Sequence, residues 1–196
     1  MIIKNFDLKK NLKKNINFYL IYGPNAGFIE ETINNTFKPI FSKNIFNYDE
    51  SEILLNINGF KESIFNKSFF DNEKLIIINR GSDKILSVLE DIINKGVSET
   101  TLIIKSNILE KKSRLRSFFE KNKDTIIVPF YEDNHQSLMS ISQNFFREKK
   151  IKISPQNINY IVERSKGNRI NLKNELEKIE NFRKKKLSDE LNEILK

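Results

Sequence analysis

Residues 17–30 form a place where phosphate chemistry would be done. The run Asn17-Phe18-Tyr19-Leu20-Ile21-Tyr22 leads into Gly23-Pro24-Asn25-Ala26-Gly27, and an amphipathic segment follows. Strand, glycine turn and helix are the setting of a phosphate-binding loop, whose chemistry needs the pattern G-x-x-x-x-G-K-[ST]. There the glycines let backbone N–H groups wrap phosphate, the lysine reaches the outer phosphates and the hydroxyl holds magnesium. Counting from Gly23, the second glycine falls on Phe28, the lysine on Ile29 and the hydroxyl on Glu30. Every requirement fails, and Glu30 and Glu31 would repel phosphate. The stretch reads as a plain strand-to-helix turn, and no nucleotide or other cofactor is expected.

Other reactive chemistry is sparse. The chain has no cysteine, which removes disulfides, thiolate metal sites and thiol nucleophiles. His135 is its single histidine, so any histidine-based triad would rest on that residue alone. No carboxylate pair stands out as an acid/base site. No catalytic residue and no metal ligand is expected.

Two groups suit binding instead. Phe69 and Phe70 are adjacent, preceded by Ser68 and followed by the polar turn Asp71-Asn72-Glu73. Aromatic side chains on an exposed turn act as interface anchors because each buries a large area. The plainer alternative is packing under the sheet. Lys111, Lys112, Arg114 and Arg116 form a basic cluster at a helix start, suited to DNA phosphate or to another subunit, with a solvated helix face as the alternative. Lys184-Lys185-Lys186 reads as a basic break after a helix, solvated unless DNA lies against it.

These groups need a scaffold to position them. After the first strand at 17–22, the pattern predicts a helix over 28–37 with Phe28, Ile29, Ile33 and Phe37 on one face. A short strand follows at 45–48, then two helices over 51–66 interrupted near Gly59. Apolar runs at 74–79, 101–105 and 125–128 read as strands. Helices at 83–95, with Asp83 as cap and Gly96 as stop, and at 112–121 lie between them. Short unbroken apolar strands alternating with helices predict a parallel sheet covered on both faces, an α/β architecture. After Tyr131 the pattern becomes helical only: 135–149, a helix opened by Ser154-Pro155, and 171–183. The expected division is an α/β domain over 1–133 and a small all-helical lid over 134–196.

Composition sets the outer limits. Hydrophobic residues make up 38% and charged residues 31% of 196, enough for a real core. The net charge of +8 leans towards the C-terminal half. Such a surface attracts nucleic acid, although heavy use of Lys, Asn and Ile also follows from AT-rich coding. No apolar run approaches the roughly 18 residues of a membrane span, and the first residues lack the apolar core of a signal peptide. The expected location is the cytoplasm, with no membrane partner.

Several stretches, taken in order, resemble the delta subunit of bacterial DNA polymerase III, especially its alphaproteobacterial form. They are residues 18–27, Ser68-Phe69-Phe70 ahead of the strand at 75–78, and Leu109 with Ser113, Leu115, Arg116, Phe119 and Glu120. Pro129-Phe130-Tyr131 and Arg169 with Glu175, Glu177 and Lys178 complete the set. The resemblance runs from about Asn17 to Phe182. It implies an AAA+-like fold and a clamp-loader role in DNA replication, within a DNA-directed DNA polymerase (nucleotidyltransferase) holoenzyme. The implied partners are the sliding clamp (beta), the gamma/tau and delta prime subunits, and primer-template DNA. ATP would be hydrolysed by sister subunits. Phe69 and Phe70 match the hydrophobic pair that enters the clamp, with Phe69 where Leu is usual; Ser68, Phe65 and Ile64 would support them. The family is longer, with a C-terminal helical collar domain that is absent after Lys196. Two other classes compete: an active AAA+ ATPase, against which Ile29 speaks, and a basic DNA-binding protein without clamp affinity.

Overall fold

The computed structural model describes residues 1–12, 16–41, 44–65, 73–97 and 99–194, with the side chains of Asn11 and residues 187–194 left out. It divides into two compact units, Met1–Tyr131 and Glu132–Lys196.

The first unit begins with a 3-10 turn at Asn5–Asp7 and the short α1 (Leu8–Asn11). Then come β1 (Phe18–Tyr22), α2 (Ala26–Thr32), a π-helical stretch at Ile33–Phe37 and α3 (Lys38–Phe41). They are followed by β2 (Ile45–Asp49), α4 (Glu50–Leu55), α5 (Ile57–Phe65) and β3 (Lys74–Asn79). A 3-10 turn at Asp83–Ile85 leads into α6 (Leu86–Lys95), and β4 (Thr100–Ser106), α7 (Arg114–Lys121) and β5 (Thr125–Pro129) complete the unit.

The five strands form one sheet in the order β2-β3-β4-β1-β5, every pair parallel. Successive side chains on a strand face opposite ways, so each apolar run feeds two cores. Phe18, Leu20, Ile76, Ile78, Leu102, Ile104 and Ile127 pack with Phe60, Leu89, Ile92, Leu115 and Phe119 on one face. Tyr19, Ile21, Leu75, Ile77, Ile103, Ile126 and Val128 pack with Leu8, Ile29, Ile33, Phe37 and Phe130 on the other. This two-sided burial explains why the central strands read as continuous apolar runs. At the β5 edge, Ile3 N–H donates to Ile127 O and Ile127 N–H to Met1 O, each at 3.0 Å, so the N-terminal arm pairs with an otherwise open edge.

The second unit packs α8 (His135–Glu148), α9 (Pro155–Arg164) and α10 (Arg169–Ile194) around Leu138, Phe146, Ile158, Ile161, Val162, Leu172 and Leu176. Ser154 Oγ caps α9 by accepting from Asn157 N–H at 3.2 Å.

Four local expectations need correction. The helix after the turn starts at Ala26, not Phe28, because Asn25 Oδ1 accepts from Phe28 N–H at 3.0 Å and caps it there. The break between the next two helices lies at Asn56, not Gly59: Asn56 leaves helical geometry, and its Oδ1 accepts from Gly59 N–H at 3.0 Å. Asp83 does not cap its own helix; Ser82 Oγ does so, accepting from Lys84 N–H. Asp83 instead accepts from Ser113 Oγ at 2.7 Å, Leu115 N–H at 2.9 Å and Arg114 N–H at 3.1 Å, capping α7 from 30 residues away. Finally, Lys184–Lys186 is no break, since α10 runs through it to Ile194; lysine is a good helix former, and no Gly or Pro intervenes.

Two predictions follow from this packing. Gly23 has φ +140° and a Cβ there would overlap the Phe130 carbonyl, whereas Gly96 has φ +71° and open space around it. Gly23→Ala should therefore cost more than about 3 kcal/mol, and Gly96→Ala less, about 1–3 kcal/mol for a positive-φ extended backbone that is nearly glycine-only, by urea denaturation. Asp83→Ala should cost about 1–2 kcal/mol at pH 7. The helix-end hydrogen bonds, those from Leu115 and Ser113 foremost, hold the Asp83 carboxyl below its ordinary pKa of 3.8. Its contribution is present above the unfolded pKa and fades as pH falls through the lower folded one. The gap between wild type and variant should therefore narrow in acid; a gap that is constant with pH would contradict this role.

Candidate functional site

The chain leaving β5 runs against the turn at 23–27, at Gly23 and Asn25. Gly23 N–H donates to Asn107 O at 3.2 Å. Phe130 N–H donates to Tyr22 O at 2.8 Å, which brings the Phe130 carbonyl against the Gly23 Cα. Asn25 works in two directions. Its Oδ1 caps α2, and its Nδ2 donates to Tyr131 O at 3.1 Å. The Phe28 ring meets Phe130 edge-on at 5.1 Å. Thus the chain leaving β5 is clasped by the turn that, in a phosphate loop, would face phosphate.

The positions that would do phosphate chemistry are committed elsewhere. Ile29, in the place of the lysine, is 3% exposed and sits in the core beside Ile33 and Tyr19. Glu30, in the place of the hydroxyl, pairs with Lys105 at 2.9 Å. Among the described residues, no group of three or more His, Asp or Glu side chains is placed to hold a metal ion.

Of the expected anchors, Ser68, Phe69 and Phe70 lie outside the described residues. What borders them is described. Ile64 is buried, and Phe65, at the last position of α5, is 37% exposed with Lys95 Nζ 5.8 Å from its ring centre. Lys74 Nζ, at the first position of β3, donates to Ser63 O at 3.4 Å. The undescribed residues 66–72 therefore join a helix end carrying an exposed aromatic ring to the start of a buried strand.

The basic cluster divides. Lys111 and Lys112 are exposed in the turn before α7, and Lys112 pairs with Glu110 at 2.9 Å. Arg114 is exposed at the first position of the helix, behind the Ser113 cap. Arg116 turns away from them. Its Nε donates to Glu120 at 2.8 Å and its Nη1 to Leu109 O at 3.1 Å, and its guanidinium lies 5.4 Å from the Tyr22 ring centre. The hydrogen bond to Glu120 raises the Arg116 pKa further above its ordinary value. Arg116 is a packing residue, and the helix register explains why: it lies two positions from Arg114, on a different face. Lys121 joins Lys111, Lys112 and Arg114 around a groove that Leu86, Glu90 and Phe118 also line. Lys121 sits two helical turns (i+7) from Arg114, on the same face, a spacing visible in the sequence.

Two further residues have plain roles. His135 opens α8 and its Nε2 lies 3.0 Å from Asn159 Oδ1. Arg169 Nε and Nη2 donate to the two Asp133 oxygens, each at 2.7 Å, with both side chains nearly buried. This bidentate geometry is what a guanidinium and a carboxylate form best. Glu175 pairs with Lys178 at 2.8 Å.

No helix among the described residues is long and apolar enough to cross a membrane. No protein-family model and no curated protein matches the chain. Solved structures do match. The DNA clamp loader delta protein of Bacillus subtilis aligns with TM-score 0.63 at 18% identity, over 91% of this chain and 57% of that one. The Holliday junction branch migration motor RuvB of Thermotoga maritima aligns with TM-score 0.56 at 17% identity, over 85% of this chain and 55% of that one. The chain spans a little over half the length of each. At such identities the likeness is one of fold, and together with the sheet order it gives the architecture: an AAA+-like, P-loop NTPase-type parallel sheet with flanking helices, followed by a helical C-terminal region.

Proposed function

We propose that this chain is a clamp-loader subunit of the delta type. In this reading it binds the sliding clamp and helps open it for loading onto DNA, in the cytoplasm, beside gamma/tau and delta prime subunits that handle ATP. The carrying observation is the turn after β1. The chain has a nucleotide-binding architecture, yet Ile29 stands in its core where the phosphate-binding lysine would be, and Phe130 and Tyr131 occupy the turn. A subunit of this fold that does not turn over ATP has to act by binding. The likeness to a clamp-loader delta protein and the ordered sequence motifs support delta over other binding roles.

In this mechanism Phe69 and Phe70, steadied by Ser68 and Phe65, enter an apolar pocket on the clamp. Burying two aromatic rings supplies much of the binding energy. The rest is differential affinity: if the pocket fits the pair better when the neighbouring clamp interface is distorted, binding shifts the ring towards the open state. Arg114, Lys111 and Lys112 are assigned here to a neighbouring subunit or to primer-template DNA, and Arg116 to holding their helix in place.

The test is binding of the purified chain to its cognate clamp, beside Phe69→Ala/Phe70→Ala. Loss of two anchors worth about 2 kcal/mol each should weaken binding by more than about 100-fold, with unchanged circular dichroism and no saturable binding of Mg-ATP. A variant that binds like wild type would remove this pair from the contact. Saturable ATP binding would instead favour the ATPase reading.

A further inference from the structure

The groove between α6 and α7 combines charge and apolar surface on one fixed frame. On α7, Arg114, Ser117, Phe118 and Lys121 stand at i, i+3, i+4 and i+7, a single helix face. On α6, Leu86 and Glu90 stand one turn apart and line the same groove, which encloses about 720 Å³. Both helices are held on the sheet by their inner sides, through Leu89 and Ile92 on α6 and Leu115 and Phe119 on α7. Asp83 fixes the start of α7 by three hydrogen bonds. Most of the lining therefore stands on anchored helices, with Lys111 and Lys112 in the turn just before α7.

Its charges are largely uncommitted. Lys111, Arg114 and Lys121 form no ion pair among the described residues, and Lys112 is held only by Glu110 in an exposed, water-screened pair. Leu86 and Phe118 are half-buried: they pack against the core and also line the groove. Four cations to one carboxylate call for an anionic partner, and two apolar side chains beside them call for an apolar group on it. Glu90 narrows the choice. It repels a partner that is anionic along its whole length, as a nucleic-acid strand is, and suits one that presents a peptide N–H at that point. A polypeptide with carboxylates around a bulky apolar side chain meets all three demands.

We infer that the α6–α7 groove docks an acidic segment of a partner protein. Carboxylates of that segment meet Lys111, Arg114 and Lys121, and one large apolar side chain lies over Leu86 and Phe118. The inference rests on the reading above that these cations meet a partner, and of its two alternatives it selects protein over DNA. The apolar contact sets the register of the segment, while the cations speed and orient its approach. The groove lies wholly in the first unit, and docking there does not use Phe69 or Phe70.

The experiment is fluorescence anisotropy of a labelled octapeptide, Glu-Asp-Glu-Leu-Phe-Glu-Asp-Glu, titrated with the full chain. A second peptide carries Ser-Ser in place of Leu-Phe. Saturable binding of the first is expected, weakened about tenfold or more in the second by loss of the apolar anchor. Arg114→Gln/Lys121→Gln should weaken it about three- to tenfold. Ser117→Glu, which sets a carboxylate in the groove without touching the core, should weaken it at least as much. Lys9→Gln/Lys10→Gln, on α1, removes the same charge elsewhere and should leave binding unchanged. Circular dichroism verifies that each variant is folded. Because no clamp is present, the result stands apart from the clamp-binding test. Absence of saturable binding by the wild type would overturn the inference, as would equal binding of the two peptides or equal losses in the control. Displacement of the peptide by a single-stranded oligonucleotide at lower concentration than by unlabelled peptide would overturn it in favour of nucleic acid.

Discussion

The close approach of the Phe130 carbonyl to Gly23 is the constraint on which the first unit's functional end depends. It is possible only because residue 23 has no side chain and adopts φ +140°. Around it gather the hydrogen bond from Phe130 to Tyr22, the Asn25 amide on the Tyr131 carbonyl, and the Phe28 ring against Phe130. In a phosphate loop, glycines leave backbone N–H groups open to an anion. Here the same freedom admits the protein's own chain as it leaves the sheet.

The rest of the unit holds that turn in place. The turn joins β1, which pairs with both β4 and β5, to α2, so it stands on well-packed strands. On the opposite face of the sheet, Asp83 ties the entry to α6 to the start of α7 by three hydrogen bonds. That link fixes α7 and with it the placing of Arg114, while Arg116 is held against Tyr22 at the end of β1. Burial of Tyr22 raises its phenol pKa, and the nearby Arg116 partly offsets the rise.

Much of this was legible in the sequence. Runs such as Leu75-Ile76-Ile77-Ile78 marked the strands because both faces of the sheet are covered, and Ser154-Pro155 marked a helix start because its capping partner is local. The failures share a cause: the deciding partner was remote, or was a side chain read only for its usual role. Asp83 looked like the cap of its own helix and caps one 30 residues away. Arg116 belonged to a cationic run by spacing, but contacts with Glu120, Leu109 and Tyr22 remove it. Ser68, Phe69 and Phe70 were picked out by residue type and motif order and lie outside the described residues; only Phe65 and Ile64 at their border can be placed.

The central claim is that this AAA+-like chain acts on the clamp by binding and needs no nucleotide. It is tested most directly by loading the cognate clamp onto nicked circular DNA, removing the loading proteins, and measuring clamp release when this chain is added. The account predicts release in the absence of ATP, at a rate that ATP leaves unchanged and that falls in Phe69→Ala/Phe70→Ala. No release by the folded chain, or release that requires ATP, would contradict it.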